Sequence, residues 1–306
     1  WGMAWRQTAR DFRAGELRLL IVAVMLAVAA LTAVAFFADR INNGLTRDAR
    51  QMLGGDAIVA SDQPAPPSFA AKARELGLST ATTTSFPSMG RAPDAQGGAS
   101  RLVAVKAVSQ AYPLRGSLRL RAGPGSAEVS LARAPEPGSV WVDPALLEAL
   151  NLKIGDFLLL GDARLRIAMV IVIEPDRGAG FMSFAPRVML NAADLETTGL
   201  VQPASRITYR LAIASRDNSD APVRAFVEWA EAEVKRETLR GLRIESLATG
   251  RPEMRQTLDR AEKFLNLVAL LAALLAAVAV GIAARDPFVH WSGTKALFSM
   301  VVGAPT

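Results

Sequence analysis

The sequence contains no cysteine, which removes a disulfide framework, a thiolate metal site and a cysteine nucleophile together. Its only histidine is His290, so the chain before it offers no imidazole for a Ser-His-Asp arrangement or a metal ligand. No stretch has the glycine-rich loop ending in Gly-Lys-Ser/Thr that a nucleotide-hydrolysing site requires. Gly293-Thr294-Lys295 has the wrong order, and Gly178-Ala179-Gly180 lacks the third glycine and the strand-to-helix setting. Carboxylates are plentiful, but none forms a spaced pair distinguishable from solvated charge. The expectation is a chain that is not an enzyme and binds no cofactor or metal directly. A block of one charge sign is lacking as well: 35 Lys and Arg stand among 29 Asp and Glu for a net charge of +6. Dispersed charge of this kind gives no basic stripe for nucleic acid.

What the sequence has in excess is apolar residues, 51% of the chain, and they concentrate in two blocks, 19–38 and 264–284, without a charged side chain. At roughly 1.5 Å per residue, about 20 helical residues reach about 30 Å, the thickness of a bilayer's hydrocarbon core. Both blocks read as transmembrane helices. Small residues recur in them at four-residue spacing, Ala23 with Ala27 and Ala277 with Gly281, which suits close helix packing.

Residues 1–18 read as an amphipathic segment. Trp5, Ala9 and Phe12 share a helical face beside Arg6, Arg10 and Arg13, a pattern suited either to the membrane interface or to a cytoplasmic partner. Arg6, Arg10, Arg13 and Arg18 precede the first block and Arg40, Arg47 and Arg50 follow it, a slight bias toward a cytoplasmic N-terminus.

Between the blocks, residues 39–263 read as a mixed α and β water-exposed domain. Ile41, Leu45, Ala49 and Leu53 form one stripe of a helix that Gly54-Gly55 stops. Strands are expected at 56–61, 79–88, 101–108, 117–121, 127–132, 157–160, 164–173, around Val188 and at 206–214. Residues 90–100 read as a loop. Helices are expected from Pro66-Pro67 to Leu76, at 143–150 capped by Asp143, and at 222–236 with Val223, Phe226, Val227, Ala230 and Val234 on one face. Pro135 to Gly138 reads as a junction between two subdomains. A last helix starts near Pro252, carries Met254, Leu258 and Ala261, and continues into the second block, so both spans are expected to extend outward as stalks.

Certain runs resemble a known family. Arg10-Asp11-Phe12-Arg13-Ala14-Gly15-Glu16-Leu17-Arg18-Leu19-Leu20 leading into Ala27-Val28-Ala29-Ala30 resembles the entry to the first membrane helix of FtsX-like permeases of ABC transporters, above all the subunit encoded beside a periplasmic thioesterase/lysophospholipase. Leu150-Asn151-Leu152-Lys153-Ile154-Gly155-Asp156, a hairpin, and Glu174-Pro175-Asp176 resemble the MacB-like periplasmic core domain of the macrolide-efflux permease. Leu195-Glu196-Thr197-Thr198-Gly199-Leu200 and Ser205-Arg206-Ile207 resemble the closer subgroup, the subunits encoded beside a thioesterase/lysophospholipase.

The resemblance covers residues 4–285 and implies a multi-pass protein of the bacterial inner membrane with its large domain in the periplasm. It implies a separate cytoplasmic ATPase subunit that binds the ATP and a second permease copy or homologue. Membrane lipid and a periplasmic protein complete the implied partners. Arg6, Arg10, Asp11, Arg13 and Glu16 become the candidate ATPase-coupling or membrane-interface residues. The implied action is transmission of ATP-driven motion to the periplasmic domain during export or extraction of a hydrophobic envelope substrate.

After Ala284 the family continues into further membrane helices, whereas here Asp286-Pro287-Phe288-Val289-His290-Trp291 follows and Ala296 to Val302 is too short to span. A fragment truncated or frame-shifted after the second transmembrane helix is the expectation. The rival from another class is a two-span extracytoplasmic sensor or accessory protein. A sensor continues into heptads after its second span, and Pro287, Gly293, Gly303 and Pro305 show none.

Overall fold

A computed structural model describes residues 16–123, 125–178, 184–202 and 205–246, with separate helical positions between 260 and 278. Glu16–Leu53 form a single helix, α1, about 57 Å long at 1.5 Å per residue. Nothing in 19–38 interrupts a helix, but Asn42-Asn43-Gly44 lies in its interior, and those residue types together cost about 2 kcal/mol relative to three alanines. The helix stops at Gly54, whose φ of 82° lets its N–H reach the carbonyls of Arg50 and Gln51 at 3.0 and 3.1 Å. The stripe expected along 41–53 is covered only at its end. Ile41 and Leu45 are 44% and 40% exposed, whereas Leu53 packs on the core, because packing against the rest of the domain begins only near Ala49.

Among the residues with described side chains, which include only part of each apolar block, no helix is long and apolar enough to cross a membrane. Val22, Met25, Phe36 and Phe37 in the first block and Leu267, Leu271 and Leu275 in the second are apolar and exposed. The start of the last helix near Pro252 lies outside the described residues. Contacts divide the chain into Trp1–Leu45 with Glu253–Thr306 and, separately, Thr46–Pro252.

Thr46–Pro252 holds the last turns of α1 and a sheet of eleven strands. In chain order come β1 (Ala57–Ser61), α2 (Pro67–Glu75), β2 (Ser79–Arg91), β3 (Ser100–Val108), β4 (Leu118–Arg121), β5 (Glu128–Leu131) and β6 (Ser139–Val142). Then follow α3 (Pro144–Leu150), β7 (Phe157–Leu160), β8 (Ala163–Ile173), β9 (Arg187–Asn191), β10 (Thr208–Ala214), α4 (Asp220–Arg236) and β11 (Arg243–Ser246). The spatial order is β11-β1-β10-β2-β3-β9-β6-β8-β4-β5, with β7 bridging β2 and β8. Asp143 caps α3 as expected, accepting from Ala145 N at 3.1 Å. The stripe expected on α4 faces inward: Val223, Phe226 and Ala230 are buried, with Val227 and Val234 packed beside them.

Strand alternation sorts the interior. Val103, Val105 and Ala107 of β3 join Val140, Val142, Val188 and Leu190 in one apolar cluster with Leu146 and Leu150 of α3. The intervening residues of the same strands, Val108, Trp141 and Met189, line the opposite face with Ile58, Tyr112, Leu118 and Leu53. A third cluster fixes α2 and α4 against β1 and β10 through Phe69, Ala73, Ala57, Val59 and Ile213.

Three expectations need correction. The loop placed at 90–100 is shorter, because β2 runs on to Arg91, pairing with Ser100, and the connection holds a short 3-10 turn at Asp94–Gln96. Strands β6 and β11 were not expected; β6 pairs with β8 and β9, and the backbone of β11 pairs with β1 across Ala57↔Ser246. Pro135 to Gly138 is a connection inside one compact unit, since β4 and β5 before it and β6 after it all join the same sheet through β8.

Candidate functional site

The chain leaves α1 through Gly54-Gly55-Asp56, and the polar groups of the domain converge there. Asp56 is buried and accepts from both Nε and Nη2 of Arg115, at 2.9 and 2.6 Å, and from the backbone N–H of Ser215 at 2.8 Å. Arg115 also donates to the Ser215 carbonyl at 2.8 Å. A bidentate guanidinium–carboxylate pair of this kind fixes direction as well as distance. Its hydrogen bonds to Asp56 raise the already high pKa of Arg115. Arg50, one turn before the end of α1, reaches Asp220 at the start of α4 at 2.5 Å and has its Nε 3.5 Å from Asp56 Oδ1, an ion pair without hydrogen-bond geometry.

Beneath Gly54 lies a second, deeper group. Lys106 of β3 donates to Tyr112 Oη at 2.9 Å, to Glu174 Oε1 at 2.8 Å and to Asp176 Oδ1 at 2.8 Å. Tyr112 donates to the same Asp176 oxygen at 2.5 Å, and Arg187 Nε donates to Glu174 Oε2 at 2.7 Å. All five residues are buried. Two cations face two carboxylates, so the group is neutral overall, and both Glu174 oxygens and Asp176 Oδ1 have a charged or hydroxyl donor.

These ions touch the end of α1. A Cβ on Gly54 would stand 2.9 Å from Asp176 Oδ2, and one on Gly116 would meet Pro175 at 3.3 Å and Gln51 at 3.5 Å. The Glu174-Pro175-Asp176 turn is thus wedged between Lys106 below and the last turn of α1 above.

Burial alone would push the Asp176 carboxyl up, but the charge and hydrogen bond of Lys106, the Tyr112 hydroxyl and the Arg210 charge bring it below the ordinary carboxylate value. The Tyr112 hydroxyl is held well above its ordinary value by burial and by the charges of Asp176 and Glu174. It therefore stays a proton donor. With all its groups buried and mutually paired, the arrangement is suited to holding geometry rather than to turning over a substrate.

Arg6, Arg10, Asp11, Arg13, Ala277 and Gly281 lie outside the described residues. Glu16, Ala23 and Ala27 are in α1, but their side chains are not among those described. Sequence reasoning missed Asp56, Lys106, Tyr112, Arg115 and Arg187. One signal was available: Lys106 is the single charge in the run Leu102 to Val108.

Comparison with known proteins supplies relatives. An uncharacterized ABC transporter permease, YbbP, of Escherichia coli (strain K12) is 35% identical over 275 residues, 90% of this chain and 32% of that protein. Over that stretch the chain is a relative of the ABC transporter permeases. The chain spans about a third of the length of that relative. No family model matches it. Two solved structures are similar at low identity. The periplasmic region of MacB from Actinobacillus actinomycetemcomitans is 14% identical, with 69% of this chain and 95% of that one covered and a TM-score of 0.41. A permease-protein domain from Porphyromonas gingivalis is 14% identical, with 62% and 89% covered and a TM-score of 0.38.

Proposed function

We propose that this chain is the part of an ABC permease that carries ATP-driven motion from a separate cytoplasmic ATPase into a periplasmic domain. In this reading 19–38 and 264–284 cross the inner membrane, 1–18 lies on the cytoplasmic side and 39–263 is periplasmic. The observation that carries it is α1: one helix contains the first apolar block and ends in the joint of Asp56, Arg115 and Asp176. A helix fastened at its end to a sheet is a lever, and its displacement is passed to whatever the sheet holds. The cargo class that suits such a periplasmic device is a hydrophobic envelope molecule. A second permease copy, lipid and a periplasmic protein complete the proposed assembly. Kinship with an ABC transporter permease over 90% of the chain favours this reading over a two-span sensor.

The test is expression of the permease with the ABC ATPase subunits encoded beside it. The reading expects co-purification and an ATP hydrolysis rate that changes with Arg10→Ala or Glu16→Ala. Failure of every such ATPase to associate would overturn it. The lack of cysteine makes the topology testable in the same preparation. Glu196→Cys should react with a membrane-impermeant maleimide in intact spheroplasts, and Gln7→Cys only after permeabilisation.

A further inference from the structure

We infer that Asn42-Asn43-Gly44 is a flexure built into α1, the point where the helix bends when its two ends are displaced differently. Asparagine and glycine are among the residues least suited to a helix interior, asparagine because its amide competes for backbone hydrogen bonds and glycine because it has the most conformational freedom to lose. Here they stand together inside a 38-residue helix. Among the described side chains at this point nothing compensates. Ile41, Asn43, Gly44 and Leu45 are exposed, a Cβ on Gly44 would meet nothing within 4 Å, and the Asn43 amide bonds only one turn back within α1, to Asp39 Oδ2 at 3.0 Å.

The next turns differ. From Ala49 onward the helix is partly covered, Arg50 is paired with Asp56 and Asp220, Leu53 is in the core and Gly54 rests on Asp176. The division of contacts in the chain falls between Leu45 and Thr46, directly after the weak triplet. Sharp bends in helices occur where glycine or small polar residues weaken the backbone ladder, and local opening concentrates where tertiary contacts are few. Both conditions meet at 42–44. The flexure itself stands on these observations; its use, letting the first span tilt without tearing the joint at Gly54, rests on the permease reading.

The test uses the whole chain in lipid nanodiscs, with spin labels on Phe37→Cys and Met52→Cys, both exposed positions in a protein without native cysteine. In the native background the distance distribution should be at least twice as wide as in the triple variant Asn42→Ala, Asn43→Ala, Gly44→Ala. The triple variant should narrow to the single distance of a straight helix, about 22 Å between the two backbone positions. A Val22→Cys and Phe36→Cys pair, upstream of the triplet, should be equally narrow in both backgrounds. Equal widths for the 37–52 pair in the native and triple-alanine chains would overturn the flexure, even if the ATPase still associates and the permease reading stands. Narrowing of that pair with no associating ATPase would leave the flexure in place and sink the permease reading instead.

Discussion

The two faces of the sheet are built from the same strands and differ by a single residue step. On β3, Val103, Val105 and Ala107 point into a cluster made wholly of apolar side chains, closed by α3 and the β7–β8 hairpin. On β3 and β9 the other face carries Lys106 and Arg187, both buried, with Glu174, Asp176 and Tyr112 around them. The first face is an ordinary core whose stabilisation follows from area removed from water. For the second, desolvating four charges offsets much of their mutual attraction, and apolar replacements of equal shape in other proteins are often no less stable. Its contribution is therefore positional: it fixes the 174–176 turn in one geometry, directly under the glycine that ends α1.

Five changes test this contrast. Lys106→Met leaves Glu174 with Arg187 and Asp176 with only the Arg210 charge and should cost about 4 kcal/mol, read as a lower urea midpoint by the emission of Trp141, which is buried on the same face. Adding Asp176→Asn should recover much of the loss, because Glu174 then pairs one to one with Arg187. On the apolar face Leu158→Ala should cost about 3 kcal/mol.

The two losses should separate in acid. The folded Asp176 titrates below its ordinary value of 3.8, so its contribution is complete above pH 3.8 and disappears as the pH falls through the folded value. The gap between native and Lys106→Met chains should accordingly shrink below pH 3.8, and the Leu158→Ala gap should not. Gly54→Ala, strained both by its positive φ and by Asp176, should cost about 2 kcal/mol and lower the midpoint without disturbing α3. Removing the exposed Arg236 side chain, ion-paired with Glu233 at 2.7 Å, should change nothing measurable.

Much of the fold was legible because its periods are local. The α4 stripe, the Asp143 cap, the Gly161-Asp162 hairpin and the Gly54 stop each rest on residues within a turn or two of one another. Strand β11 was not legible: four residues, Arg243-Ile244-Glu245-Ser246, carry too little alternation to stand out, and pairing with β1 creates the strand. The joint was hidden for the opposite reason. Asp56, Lys106, Tyr112, Glu174 and Arg187 lie in different parts of the chain, and only the sheet order brings them together. Glu174-Pro175-Asp176 was conspicuous as a family marker, yet its role under Gly54 depends on a contact that no spacing encodes.

The central claim is that the ion-bearing face fastens the end of α1 to the domain, and amide hydrogen exchange across the helix tests it directly. In the native chain the amides of 49–53 should be protected like those of the neighbouring sheet, and those of 41–45 should exchange much faster. Asp176→Asn should speed exchange at 49–53 at least tenfold and leave α3 unchanged. Exchange at 49–53 as fast as at 41–45 in the native chain, or unmoved by Asp176→Asn, would contradict the account.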